Sequence, residues 1–324
     1  LKKFLILIGS SYLLLISASV LLMNIKISGK NYVEDLPINI KNSFKIEDTK
    51  KIECLSVKSI KDDLEKNNIC YIGDKNNPNI ELIVYGDSHI LPYYEIFDSY
   101  LLKENKKGIF IGYNGCPPIL YIDTIRKDQS VNNCRKLNNS LLKFIEKKNV
   151  TTVIQISRWT YYTGEELPNG EFNPINNTLN FNTNVKTSKK VFEKSIRESL
   201  KKFGNMDLNL YLLEQPPFQN YSPDDVYIRS FNKDKNIFLE KLNYFSIKRK
   251  KYLENQIFSR SILEMNSNKY KNIHFIKIND IFCKNKKEIC KIGNEIHSFY
   301  RDRNHLNKYG TELVGKKVIN EIRD

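Results

Sequence analysis

Two short segments, far apart in the chain, contain residue types that can catalyse acyl transfer if they meet. The first is GDSH, residues 86–89, and the second is DRNHLN, residues 302–307. A serine hydroxyl is a weak nucleophile until a base takes its proton, and that base needs an acidic partner to hold its tautomer. Asp302 and His305 are three residues apart, so they can meet on one side of a turn. The pattern predicts Ser88 as the nucleophile, His305 as general base and then general acid, and Asp302 as the residue that orients His305.

The position of the GDSH segment favours this interpretation. It directly follows ELIVY, residues 81–85, an apolar run typical of a strand buried on both faces. A serine at the carboxyl end of such a strand exposes its hydroxyl, and a helix that begins there offers backbone N–H groups to a developing oxyanion. We expect Asp87 to accept hydrogen bonds from N–H groups of the turn and His89 to pack over the first helix. His274 and His297 are assigned no role.

Apolar runs that predict strands alternate with stretches of helical spacing. The strands are predicted at residues 81–85, 108–113, 151–157, 208–213 and 273–278, and the helices at residues 92–103, 137–145, 192–203, 253–265 and 309–322. This alternation predicts an α/β fold whose mainly parallel sheet is covered on both faces, with sites at the carboxyl ends of the strands. Residues 161–184 and 215–235 have no clear period, and we expect them to be loops that shape a cleft.

The chemistry-bearing motifs resemble those of a known family. GDSH after the first strand and DxxHL near the C-terminus are similar to the first and last blocks of the SGNH (GDSL-like) hydrolases, which implies a flavodoxin-like three-layer sandwich, the SGNH fold. The segments GCPP (115–118), SRW (157–159) and HLN (305–307) resemble more closely the SGNH domain fused to bacterial membrane acyltransferases of family three. Those fusions O-acetylate lipopolysaccharide O-antigen and related cell-surface glycans. The resemblance covers roughly residues 82–322 and the preceding apolar segment.

The resemblance implies an acyl-serine intermediate at Ser88 and no cofactor within this domain. Acetyl-CoA would be the ultimate donor, through a membrane acyltransferase module in the same or a separate chain. The N–H groups of Ser88 and Gly115 would stabilise the oxyanion. The third block of the family normally supplies an asparagine within GxND, but SRW stands there instead. Asn114 or the positive charge of Arg158 could replace it; alternatively, Arg158 pairs with a carboxylate and Trp159 only packs.

The N-terminal residues indicate where the protein resides. Residues 4–23 are uncharged and apolar, long enough to cross a bilayer, and Lys2 and Lys3 place the N-terminus in the cytoplasm. The alternative is a cleaved signal peptide. Residue 1 is Leu, which fits either a rare start codon or a chain cut from something longer. We expect the second, with this span as the last of several. The predicted division is a transmembrane helix (1–27), a periplasmic linker with a stapled segment (28–79) and an SGNH domain (80–324), anchored in the inner membrane with the C-terminal domain in the periplasm.

Six cysteines agree with an exported domain, because disulfides persist in oxidising compartments. The short pairings are Cys54 with Cys70, Cys116 with Cys134, and Cys283 with Cys290; free thiols are the alternative. No pair has CxxC spacing and the chain has four His, so no metal site is expected.

The formal net charge of +15 permits an anionic partner. The excess Lys is spread along the chain without a nucleic-acid-binding motif, so no nucleic-acid partner is expected.

The leading prediction is an O-acyltransferase that acts on a cell-envelope polysaccharide. Two alternatives stay open. A membrane-anchored carbohydrate acetyl esterase would form the same acyl-serine and use water as acceptor. A non-catalytic module that binds envelope glycans would bind salt-sensitively and be indifferent to the loss of His305.

Overall fold

The structure is a computed structural model that describes residues 36–45, 52–56, 62, 69–125, 131–167, 170–177, 184–283 and 288–323. Within these ranges, none of the helices combines the length and the apolar character that a bilayer crossing requires. The predicted transmembrane helix, residues 1–27, lies outside the described residues.

The apolar runs of the sequence form strands of a central sheet. The described strands are β1 (Cys70–Gly73), β2 (Ile80–Gly86), β3 (Lys107–Gly112), β4 (Asp123–Ile125), β5 (Val131–Asn132), β6 (Thr152–Ile156), β7 (Ile175–Asn176), β8 (Asn209–Leu213), β9 (Ile247–Lys248), β10 (Ile273–Ile276) and β11 (Ile289–Cys290). Six of them form the central sheet in the order β1-β3-β2-β6-β8-β10. The five strands from β3 to β10 are mutually parallel, which confirms the predicted mainly parallel sheet.

The edge strand β1 is antiparallel to β3, with Cys70 opposite Phe110. From the sequence these residues are expected in the stapled segment ahead of the domain, but in the structure they are part of the sheet. Four residues are too few to show a strand period, and the strand becomes recognisable only through its pairing with β3. The disulfide between Cys54 and Cys70 ties this edge to a short 3₁₀ helix, Glu53–Leu55.

Helices cover both faces of the sheet. The described α-helices are α1 (Ile38–Ser43), α2 (Tyr94–Lys103), α3 (Cys134–Lys148), α4 (Val185–Gly204), α5 (Pro223–Ser230), α6 (Lys235–Phe245), α7 (Arg249–Glu254), α8 (Ile257–Ser267), α9 (Asn279–Phe282) and α10 (Lys308–Arg323). Side chains of a strand point alternately to the two faces. Leu82 and Val84 of β2 therefore pack in one core with α2 and α10, while Ile83 and Tyr85 pack in the other with α3, α4 and α8. The result is a three-layer α/β/α sandwich.

Two helical predictions need correction. Residues 215–235 were expected to be a loop, but Pro223–Ser230 forms α5, with proline at its start and Asp224 and Asp225 in the first turn. These are helix-start signals, and eight residues are too short for a clear apolar repeat. The single helix expected at residues 253–265 is divided into α7 and α8, separated by Asn255 and Gln256.

The strand order creates a crevice at the carboxyl end of β2. The chain passes from β2 to β3 on one side and then crosses to β6 on the other side, and ligands bind at such switch points in open α/β sheets. Gly86, the last residue of β2, allows β2 and β6 to approach closely. A Cβ atom there would lie 1.8 Å from the carbonyl oxygen of Ile156. The glycine ahead of Ser88 is thus required by strand packing.

All six cysteines are paired as the sequence predicted. The disulfides join Cys54 with Cys70, Cys116 with Cys134, and Cys283 with Cys290. Stable disulfides are typical of proteins in oxidising, extracytoplasmic compartments. The domain therefore has the character of an exported domain.

We expect Gly86→Ala to destabilise the protein by about 1–3 kcal/mol, because the added methyl group overpacks the contact between β2 and β6. For a domain of this size, the thermal midpoint should fall by about 2–10 °C. Differential scanning fluorimetry measures this change. Asn209→Ala, at the exposed first residue of β8, is the control and should melt like the wild type. An unchanged midpoint for Gly86→Ala would contradict the packing argument.

Candidate active site

The turn that carries Ser88 is held by the buried carboxylate of Asp87. Its Oδ1 accepts the backbone N–H of His89 at 3.0 Å, which caps the 3₁₀ helix Ser88–Tyr93. Its Oδ2 accepts three further hydrogen bonds, from Ser157 Oγ (2.7 Å), Arg158 N (3.0 Å) and Tyr162 Oη (2.8 Å). Asp87 is therefore the acceptor that the sequence predicted, but most of its donors come from the segment after β6. It connects the carboxyl ends of β2 and β6 directly beneath Ser88.

The structure brings Ser88, His305 and Asp302 together in one relay. Ser88 Oγ lies 2.8 Å from His305 Nε2, although the two residues are 217 positions apart. His305 Nδ1 lies 2.8 Å from Asp302 Oδ2. Because the ionised carboxylate can only accept, Nδ1 carries the proton and Nε2 is left to accept the serine proton. This is the hydrogen-bonding order that activates a serine nucleophile.

The carboxylate of Asp302 is stabilised in its ionised form. Burial acts to raise the pKa of Asp302, but the hydrogen bond and positive charge of His305 outweigh burial. The backbone N–H groups of Asn304 (3.0 Å) and His305 (2.8 Å) also donate to Asp302 Oδ1. Together they hold the pKa of Asp302 well below its usual range. Asp302 therefore remains a negative partner for His305 through neutral and mildly acidic pH.

The start of α10 places His305 opposite Ser88. Asn307 Oδ1 accepts the backbone N–H groups of Tyr309 (3.0 Å) and Gly310 (3.1 Å), which fixes where the helix begins. One turn later, Thr311 Oγ1 donates to the carbonyl oxygen of Pro92 at 3.1 Å. Pro92 belongs to the 3₁₀ helix that starts at Ser88. The segments that carry Ser88 and His305 are thus joined by packing and hydrogen bonds outside the relay.

His89 packs against the relay rather than over the first helix, where the sequence placed it. Its ring lies 4.3 Å from that of His305, between ring centroids, and its Nε2 lies 3.1 Å from Asn304 Oδ1. Burial, and then the positive charge of His305, lower the pKa of His89 well below its ordinary value. A neutral His89 donates through Nε2 to Asn304. Sequence reasoning missed Asn304, because nothing local connects it to a histidine 215 positions away.

Ser88 and His305 open into a cavity of about 470 Å³. Its lining is mostly polar or aromatic and consists of Asp87, Ser88, His89, Asn114, Gly115, Asn132, Arg158, Tyr161, Tyr162, Glu171, Phe172, Asn173 and His305. Gly115 and Asn114, two of the predicted oxyanion residues, are among them. Within the described residues, no acceptor is hydrogen-bonded to the N–H of Ser88 or of Gly115. Neither N–H group is therefore committed to an acceptor among the described residues, and both residues line the cavity.

Arg158 pairs with a carboxylate, one of the two alternatives that the sequence left open. Its Nε and Nη2 lie 3.2 and 2.6 Å from Oε2 of the buried Glu166. Burial would lower the pKa of Arg158, but the charge of Glu166 raises it. The guanidinium still lines the cavity, so the pair brings a fixed, compensated charge to its wall. Trp159 packs in the core, where its Nε1 donates to the carbonyl oxygen of Leu213 at 2.9 Å.

The remaining histidines stack on tyrosines outside this cavity, His274 on Tyr211 and His297 on Tyr309. Across the described ranges, there is no cluster of three or more His, Cys, Asp or Glu that could hold a metal ion. The cavity itself presents a serine that is hydrogen-bonded to His305.

Comparison with known proteins identifies the family and supports the fold. A family model described as an SGNH domain fused to AT3 domains matches residues 53–320. The fold resembles that of the periplasmic domain of a lipopolysaccharide acetyltransferase from Salmonella ser. Paratyphi A, with 16% sequence identity, 82% of this chain and 90% of that chain covered, and a TM-score of 0.53. An acetyl xylan esterase, AlAXEase, aligns with 16% identity over 75% of this chain and 100% of its own, with a TM-score of 0.39. No curated protein matches the sequence.

The relay predicts that Ser88 reacts with a fluorophosphonate probe, because His305 can accept the serine proton as phosphorus is attacked. Intact-mass and peptide mass spectrometry should find one adduct, on the peptide that contains Ser88. Labelling should be lost in Ser88→Ala and fall at least about a hundredfold in His305→Ala. Ser261→Ala, which removes an exposed serine of α8, should label like the wild type. Labelling that persists in Ser88→Ala would contradict this assignment.

Proposed function

Because the chain belongs to the family of SGNH domains fused to AT3 domains, we propose that it transfers an acyl group, most simply acetyl, through Ser88 to a hydroxyl of a cell-envelope polysaccharide such as lipopolysaccharide O-antigen. The observation that carries this proposal is the hydrogen-bonded relay of Ser88, His305 and Asp302 at the mouth of a polar cavity. A glycan-binding module has no need of such a relay, so the geometry favours an enzyme.

In the first half-reaction, Ser88 Oγ attacks the carbonyl carbon of the acyl donor while His305 Nε2 takes the hydroxyl proton. The tetrahedral intermediate carries its negative charge on the former carbonyl oxygen. The N–H groups of Ser88 and Gly115 would donate to that oxygen, and each such donor is worth roughly 3–4 kcal/mol in related serine enzymes. The bond to the leaving group then breaks, and protonated His305 returns the proton to it. The product is an ester between Ser88 Oγ and the acyl group.

In the second half-reaction, His305 Nε2 removes the proton from a sugar hydroxyl as that oxygen attacks the acyl-serine. The second tetrahedral intermediate collapses with release of Ser88, which regains its proton from His305. The product is an O-acylated glycan. Asp302 stays ionised throughout and stabilises the imidazolium that forms in each half-reaction.

The acyl group would be supplied by a membrane module. The family description pairs the SGNH domain with an AT3 domain, and such a module would carry acetyl from cytoplasmic acetyl-CoA across the membrane. The three disulfides are compatible with a domain that acts in the periplasm beside an inner-membrane anchor. The acceptor hydroxyl would then belong to a polysaccharide assembled outside the cytoplasm.

We expect Ser88→Ala to abolish O-acetylation of the envelope polysaccharide in cells that carry the full-length protein, because no acyl-serine can form. Proton NMR of the isolated polysaccharide before and after mild alkali measures the O-acetyl content. Ser261→Ala is the matched control and should keep the wild-type content. Unchanged acetylation in the Ser88→Ala cells would overturn the assignment of the nucleophile.

Transfer and hydrolysis are distinguished by the fate of the acyl group. With p-nitrophenyl acetate as donor, the protein should release p-nitrophenol and acetate slowly without an acceptor, and added envelope polysaccharide should divert most of the acetyl group to sugar. Both products depend on Ser88 and should fall at least about a thousandfold in Ser88→Ala. Rapid acetate release that polysaccharide does not divert would instead identify a membrane-anchored carbohydrate esterase.

A further inference from the structure

In the turn that carries Gly115, the orientation of one peptide group decides whether an N–H or a carbonyl oxygen faces the oxyanion. Cys116 N–H donates to the carbonyl oxygen of Tyr113 at 3.0 Å, which closes a four-residue turn over residues 113–116. Gly115 is its third residue and has a φ of +74°. A positive φ at this position is the signature of a type II turn, in which glycine is favoured.

Type I and type II turns differ by a flip of the central peptide, here the peptide between Asn114 and Gly115. The carbonyl oxygen of Asn114 and the N–H of Gly115 belong to this one planar group and point in opposite directions. A flip would exchange them, so that a carbonyl oxygen would point where the N–H points now. An oxyanion that is stabilised by the N–H would be repelled by the carbonyl oxygen. The turn therefore needs an outside constraint to remain useful in catalysis.

Two buried asparagines supply contacts of this kind. Asn132 Nδ2 donates to the carbonyl oxygen of Asn114 at 3.4 Å, and Asn173 Nδ2 donates to the carbonyl oxygen of Gly115 at 3.0 Å. Both side chains are nearly excluded from solvent, with 6% and 5% exposure. The amide nitrogens lie 3.6 and 3.2 Å from the position that a Cβ of Gly115 would occupy. The two amides thus enclose the turn from one side.

The asparagines are held by a unit separate from the central sheet. Asn132 ends β5, Asn173 precedes β7, and both strands pair with β4 in a small three-stranded sheet. The disulfide between Cys116 and Cys134 joins the residue after Gly115 to the residue two positions after Asn132. This covalent link keeps Asn132 within reach of the turn.

We infer that Asn132 and Asn173 are positioning residues, a role that rests on the proposed function. Asn132 holds the Asn114–Gly115 peptide with its N–H directed to the oxyanion, and Asn173 holds the adjoining Gly115–Cys116 peptide, which fixes Gly115 from its other side. A donor on the carbonyl oxygen of Asn114 both fixes the peptide plane and polarises its N–H. In this role the two amides compensate for the asparagine that is missing from the third family block, because they stabilise a backbone donor instead of acting on the acyl group themselves.

The test is the steady-state kinetics of p-nitrophenyl acetate hydrolysis by the full chain carrying Asn132→Asp or Asn173→Asp. Each change replaces an amide donor with a carboxylate that repels the carbonyl oxygen it faces. In Asn132→Asp this is the oxygen of Asn114, and the repulsion favours the flipped peptide; in Asn173→Asp it is the oxygen of Gly115, and the repulsion displaces the residue that carries the N–H. We expect kcat to fall about 10- to 100-fold with KM changed by less than twofold, because the lost interaction exists only in the transition state. Fluorophosphonate labelling of Ser88 should slow in proportion.

Asn138→Asp is the matched control. Asn138 is also a buried asparagine, and its Nδ2 donates to the carbonyl oxygens of Pro117 and Ile119, just beyond the turn. The same substitution there should lower the thermal midpoint as much as the test variants do, but leave kcat within about threefold. A loss of kcat in Asn138→Asp equal to that of the test variants would overturn the inference, since general loosening of the loop would then explain all three.

Gly115→Ala supplies an independent measurement, because alanine disfavours the positive φ and promotes the flip. If the asparagines act through this peptide, Asn132→Asp should add little to the loss of kcat already caused by Gly115→Ala, whereas independent effects would multiply. If an Asp variant fails to fold, Asn132→Ser and Asn173→Ser replace it, with an expected kcat between those of the wild type and Gly115→Ala.

Failure of the inference and failure of the proposed function give different results. If Ser88→Ala does not reduce the hydrolysis of p-nitrophenyl acetate below the wild-type rate, the proposed function is contradicted. Hydrolysis that depends on Ser88 but keeps its wild-type kcat in folded Asn132→Asp and Asn173→Asp would overturn the positioning role alone. A raised KM at constant kcat would also overturn it, since the asparagines would then contact substrate in the ground state.

Discussion

The hydrogen bond between Ser88 and His305 is the interaction around which the site is built. It requires the end of β2, near the start of the domain, to meet the loop before the last helix. A distance of 2.8 Å between groups 217 residues apart cannot be held by the hydrogen bond alone, which contributes only about 1 kcal/mol net. The packing of α10 beside the 3₁₀ helix at Ser88, reinforced by Thr311 and Pro92, supplies the rest of the constraint.

Around this contact, the charged side chains of the site each have partners that compensate their charge. Asp87 accepts four hydrogen bonds and is structural, although it adjoins the nucleophile. Asp302 has His305 and two backbone donors, and remains ionised. Arg158 is compensated by Glu166 at the cavity wall. Burial of an unpaired charge costs several kcal/mol, so this pairing lets a polar cavity exist within a well-packed sandwich.

The proposed chemistry is divided between two parts of the fold. The proton relay is built from the central sheet and α10, whereas the Gly115 turn is held from outside by the three-stranded sheet and the disulfide between Cys116 and Cys134. The first part positions groups that move protons, and the second positions a backbone dipole that does not move.

The amino-acid sequence alone was sufficient to predict the parallel strands, the two segments that carry Ser88, Asp302 and His305, and the three cysteine pairs. Each of these has a local signature: an apolar run, a short spacing between reactive groups, or a small loop between cysteines. The tertiary structure decided that Arg158 pairs with Glu166, that His89 packs on His305, that Cys70–Gly73 is an edge strand, and that Asn132 and Asn173 contact the Gly115 turn. These depend on which distant segments fold side by side. The spacing of polar side chains along the sequence does not indicate which residues they will contact. Their roles become clear only when the packing of the apolar elements brings them together.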